Sequence, residues 1–143
     1  MLRAVADTNT VVSALLWQGT PAVLLKSAEA GALALYTSAV LLDELAEILA
    51  REKFAGRIVA SGLAIDSLVS RYARLAMQVL PAEIYPAVPG DPDDDAVLAC
   101  ALAAAADLVI SGDKRVRNLK HYHGMRILDA TQALALINQR DKP

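Results

Sequence analysis

Short strand-like runs alternating with longer helix-patterned stretches constrain this chain more than any other feature. Residues 2–6, 33–37 and 108–111 read as strands, with shorter ones at 78–80 and 126–128. Helices are expected over 11–16, 20–30, 38–51, 91–106 and 114–119, and from Asp129 to Ile137. Residues 54–77 also carry helical periodicity, with Gly56 and Gly62 as breaks. Thr20 before Pro21, and Ser38, Asp91 and Asp129 before their helices, are the expected N-caps. Pro81, Pro86, Pro89 and Gly90 mark the one extended loop. Strands joined through helices pair in parallel and are covered on both faces, which predicts an α/β sandwich.

At 143 residues the chain is expected to form one domain over 1–143. It is 55% hydrophobic and 21% charged, so it can fill a core and is not of disordered type. No apolar run approaches the roughly 20 residues of a membrane span, and the opening residues lack a signal-peptide layout. The single Cys100 lies in an apolar helix pattern and reads as a small buried hydrophobe, excluding a disulfide framework. Together these features predict a cytoplasmic protein.

Within this apolar background four acids stand out. Asp7 ends the first strand, Asp113 follows Leu108–Ser111, Glu44 interrupts a leucine-rich helix and Asp94 opens an alanine-rich one. A carboxylate at the edge of a core costs on the order of several kcal/mol unless it is neutralised. No Lys or Arg adjoins Asp7, Glu44 or Asp94 in the chain, so a divalent cation is the natural counter-charge if the fold gathers them.

In parallel α/β sheets ligands bind beyond the carboxyl ends of the strands, where Asp7 and Asp113 both fall. Asp107 precedes its strand, at the opposite edge, and reads as structural. At about 100° per residue, Glu44 falls between Val40 and Ile48, inside an extended apolar arc. Asp94 lies at the centre of the arc of Val97, Leu98, Ala101 and Leu102, with Asp95 nearer its edge as the alternative. Asn9 and Ser111 are short polar groups able to orient the neighbouring carboxylates or to bond their own turns.

The net charge is −2 and the pI about 5.6, so the chain has no overall basic signature of nucleic-acid binding. Cations nevertheless crowd behind Asp113, at Lys114, Arg115, Arg117, Lys120, His121 and His123, and a smaller group comprises Arg51, Lys53 and Arg57. Lys114 and Arg115 are the expected substrate-phosphate contacts. Two histidines and one cysteine cannot form a structural zinc site, and no nucleophile elbow, phosphate loop or dinucleotide fingerprint is present.

Asp7-Thr8-Asn9, Ser38 six residues before Glu44-Leu45, the Asp94 helix and Ser111-Gly112-Asp113 occur in that order. This arrangement resembles the PIN-domain nucleases, especially the small stand-alone VapC-like toxins of toxin–antitoxin pairs, and the resemblance covers nearly the whole chain. It implies a PIN-like three-layer sandwich with a central, mostly parallel sheet flanked by helices. It also implies that Asp7, Glu44, Asp94 and Asp113 are the catalytic acids and bind Mg²⁺ or Mn²⁺, with Asp95 as the alternative third acid. Single-stranded RNA as substrate, a cognate antitoxin and a homodimer are further implications. Two rivals are another Mg²⁺-dependent phosphohydrolase and a non-catalytic interaction module. The first is disfavoured because Asp7-Thr8-Asn9 lacks a second Asp two residues on.

Overall fold

A computed structural model describes residues 1–88 and 92–140; the Pro89-Gly90 turn and the expected Asp91 cap lie outside them. Six strands form one sheet in the order β3-β2-β1-β4-β6-β5. They are β1 (Leu2–Ala6), β2 (Leu33–Thr37), β3 (Met77–Gln78), β4 (Leu108–Ile110), β5 (His121–Tyr122) and β6 (Met125–Leu128). All neighbours pair in parallel except β5 with β6. The α/β sandwich expected from the alternation of elements is the observed architecture.

Side chains of successive strand residues leave opposite faces, and here both faces are covered. Leu2 and Ala4 of β1, Leu108 and Ile110 of β4 and Leu128 of β6 point into one core. That core is closed by α1 (Thr8–Leu16), α2 (Thr20–Glu29), α3 (Ala39–Leu49), α5 (Ile65–Leu75) and α8 (Ala130–Arg140). Val5, Val109 and Ile127 point the other way, towards α6 (Pro92–Ala103) and α7 (Lys114–Arg117). Cys100, Ala101 and Ala104 let α6 pack closely on that face, and Cys100 is fully buried as its sequence setting suggests. Each fully buried leucine or isoleucine contributes about 1.5–3 kcal/mol, so the two cores hold the sheet from both sides. Among the described residues no helix is long and apolar enough to cross a membrane.

The differences from the sequence expectation have local causes. Gly56 does not break the chain: a 3₁₀ turn (Glu52–Phe54) leads into α4 (Ala55–Ser61), which passes through Gly56 and ends at Gly62 in a left-handed conformation. Thr20 is the first residue of α2 rather than its cap; Gly19 holds that place and supplies no side-chain bond. Strand β3 is Met77–Gln78, earlier and shorter than expected. Strand β5 was not expected at all, because it has only two residues. It forms a hairpin with β6 through His123 (φ 49°) and Gly124 (φ 81°), the two positive-φ positions of a primed turn.

Candidate active site

Three strand ends bring acids to the carboxyl edge of the sheet. Beyond β1, the Asp7 amide donates to the Ile110 carbonyl at 2.9 Å, which extends the β1–β4 ladder and fixes the residue against its neighbour. Its Oδ1 accepts the Thr10 amide at 2.8 Å and so caps α1. Its Oδ2 accepts the Ser111 hydroxyl at 2.6 Å. Ser111, fully buried just beyond β4, accepts the Asp113 amide at 3.0 Å through the same oxygen. One buried hydroxyl thus links the two acids, and Asp7 is itself only 6% exposed.

Asp113 caps α7: its Oδ1 accepts the Arg115 amide at 2.8 Å, and its Oδ2 lies 3.4 Å from the Arg115 guanidinium. The Arg115 amide is the main cause holding the Asp113 carboxyl below its ordinary range; partial burial opposes it, while the Arg115 side chain and a hydrogen bond with Asp94 assist. Asp94 therefore reaches Asp113 from α6, and Arg115 lies 3.9 Å from Asp94 as well. Arg115, expected to meet substrate, is folded back onto the acids, whereas the exposed Lys114 faces away.

The geometry treats Asp94 and Asp95 differently. Oδ1 of Asp95 accepts the Ala87 and Val88 amides, both at 2.9 Å, and so ties the segment before α6 to that helix. Asp95 is a clasp, and Asp94 is the acid beside Asp113. Glu44 is half-buried on α3, but Val40, which extended its expected apolar arc, is 54% exposed.

Asp7, Asn9, Asp113 and Asp129 line one open cavity of about 630 Å³, which neither Glu44 nor Asp94 lines. Asp129 is the acid that sequence reasoning treated only as a cap. It is a cap, sharing reciprocal bonds with Gln132 at 2.8 and 3.0 Å. It also ends β6 as Asp7 ends β1, and that shared strand-end pattern was the available signal. A second missed group is Tyr72. It is buried, its hydroxyl has no hydrogen-bond partner among the described residues, and its pKa is driven up by burial first, then by Cys100 and Asp7. Asp107 holds the opposite edge as expected, its carboxylate accepting the Arg3 amide at 2.8 Å.

Among the described residues no three His, Cys, Asp or Glu side chains converge into a ready-made cage. The donor chemistry still suits a hard cation. Mg²⁺ keeps several waters and needs only one or two carboxylates plus substrate phosphate. Each carboxylate offers about four lone-pair sites, and the bonds named above leave some of those of Asp7 and Asp113 open.

A family model described as PIN domain matches residues 3–115, a span that contains Asp7, Asn9, Glu44, Asp94, Ser111 and Asp113. No curated protein matches the chain.

Proposed function

The chain belongs to the PIN-domain family, in general metal-dependent nucleases, and from that premise we propose that it is a Mg²⁺- or Mn²⁺-dependent endoribonuclease cutting single-stranded RNA. The observation that supports this most is the Ser111-bridged pair of Asp7 and Asp113 at the carboxyl edge of a parallel sheet. Asp7 and Asp113 are the first ligands in this reading, with Asp94 beside Asp113 and Glu44 completing the set. The bound cation supplies Lewis acidity and charge neutralisation at the scissile phosphate. Ser111 keeps Asp7 oriented by donating to it, and Asn9, exposed on the cavity wall, meets substrate or an ordered water. Lys114 would neutralise a flanking phosphate, and Arg115, which lies against Asp94 and Asp113, would be the second cation near the reacting edge.

The resemblance to VapC-like toxins carries the choice of RNA, a cognate antitoxin as inhibitor and a homodimer; chain length supports a single domain, and the lone Cys100 a cytoplasmic setting. The test is incubation of the purified chain, freed of any co-expressed partner, with single-stranded and duplex RNA and DNA in Mg²⁺, Mn²⁺ or EDTA. Metal-dependent internal cleavage of single-stranded RNA is the expected result. Cleavage of DNA alone would remove the ribonuclease assignment, and no cleavage of any nucleic acid would remove the reading altogether.

A further inference from the structure

On the far side of α7 from the acids lies a second open cavity, of about 510 Å³. Lys114 and Arg117 of α7, Lys120 and His121 at the approach to β5, Arg126 of β6 and Gln132 of α8 line it. Among the described residues no acid does, in a chain with 16 acidic and 14 basic residues. Four of these side chains are Lys or Arg cations, and the His121 imidazole stands beside them. Arg117 is anchored to Asp129 at 3.6 Å through one terminal nitrogen, while its enclosed Nε has no hydrogen-bond partner among the described residues. A confined set of like charges beside an unsatisfied donor calls for an anion.

The backbone is shaped to hold the set together. Lys120 adopts φ 61°, a left-handed conformation that side chains rarely take, where the chain leaves α7 and turns into β5. His121 then pairs across the hairpin with Arg126, so residues from two strands share one wall. The His123 of the same basic run instead meets the Tyr122 ring edge-on, 4.5 Å between centroids, and does not line the cleft.

We propose that this cleft binds a backbone phosphate of the nucleic-acid strand, next to the segment held at the acids. The inference rests on the nuclease reading and adds to it a second anchoring point that fixes how the strand crosses α7. Lys114 directly follows Asp113, and Gln132 is bonded to Asp129 of the acid-lined cavity, so the two cavities share a wall. A strand over that wall places one phosphate at the acids and a neighbour among the cations.

The test measures binding of a short labelled single-stranded RNA in EDTA across a salt series, for the wild type, for Lys120→Ala with Arg126→Ala, and for Arg126→Glu. These positions are exposed, and circular dichroism verifies the fold of each variant. The expected result is about a tenfold weaker affinity and a salt slope flatter by about 0.7 for each phosphate no longer neutralised. Inorganic phosphate is titrated in parallel. Unchanged affinity and slope in the variants, with a wild type that binds and cleaves, would overturn the cleft and leave the nuclease reading standing. Inorganic phosphate binding as tightly as the RNA would overturn the strand assignment. A wild type that neither binds nor cleaves would overturn the nuclease reading, and the cleft with it.

Discussion

The cavities on the two sides of α7 come from adjoining stretches of chain and are opposite in character. Among the described residues the acid-lined one contains no Lys or Arg, and the basic one contains no Asp or Glu. Their construction differs as well. Asp7 is buried, and both it and Asp113 hang on strand ends, tied by Ser111 and by backbone amides. Most cations of the cleft stand on exposed stems, and Arg117 is anchored to Asp129 at 3.6 Å. Groups that must present a fixed geometry to a reacting phosphate are built in; groups that need only supply charge are left adaptable.

The comparison can be broken most severely on the rigid side. Asp7→Asn or Asp113→Asn is predicted to lower metal-dependent cleavage about a hundredfold or more, since even outer partners of metal ligands cost about 10–100-fold. Steady-state cleavage of single-stranded RNA measures it, and a reduction well short of tenfold would place the reacting edge elsewhere. Ser111→Ala comes next. It leaves Asp7 without its 2.6 Å donor, and about 10–100-fold of activity is expected to go. Ser111→Thr, which keeps the hydroxyl, is expected to recover part of it.

Smaller effects separate the two central aspartates. Asp95→Ala is predicted to cost about 1–3 kcal/mol of stability, because two backbone amides lose their acceptor. Asp94→Ala is predicted to reduce cleavage while leaving the melting temperature almost unchanged. Urea denaturation and cleavage assays on the pair decide this, and the reverse pattern would exchange their roles.

The smallest effect concerns alkali. Burial pushes the Cys100 thiol from an ordinary 9.0 up to about 11, and Tyr72 also rises. A raised folded-state pKa stabilises the protonated form. That contribution is full below about pH 9 and is lost as pH rises through about 11. Melting temperature in Cys100→Ala is therefore expected to fall less steeply over that window than in the wild type. Parallel slopes would show that Cys100 does not titrate with unfolding.

How much of this was legible in the sequence follows from how local each cause is. Asp7 and Asp113 were readable because a strand end and the residues after it are neighbours in the chain. Ser38 was readable as a cap for the same reason, and it caps α3 through the Leu41 amide. Asp94 was readable ahead of Asp95 from the wheel, whereas what ties up Asp95, the Ala87 and Val88 amides, was not, because it depends on where that segment comes to rest. Glu44 was placed by a wheel that took Val40 as buried; Val40 is exposed, while Leu41, Leu45 and Ile48 of the same helix are buried and Glu44 is half-buried. The basic cleft was half visible: the run after Asp113 supplied Lys114, Arg117, Lys120 and His121, but Arg126 arrives through a hairpin of two-residue strand pairing that periodicity cannot detect.

The central claim is that the Asp7–Ser111–Asp113 edge holds the cation on which cleavage depends. Its most direct test is a Mn²⁺ titration that follows both metal binding, by electron paramagnetic resonance, and RNA cleavage in the same samples of wild type and Asp113→Asn. Cleavage is expected to track occupancy in the wild type, and both are expected to weaken together in the variant. Cleavage that persists in EDTA, or a variant that binds Mn²⁺ and cuts as the wild type does, would contradict it.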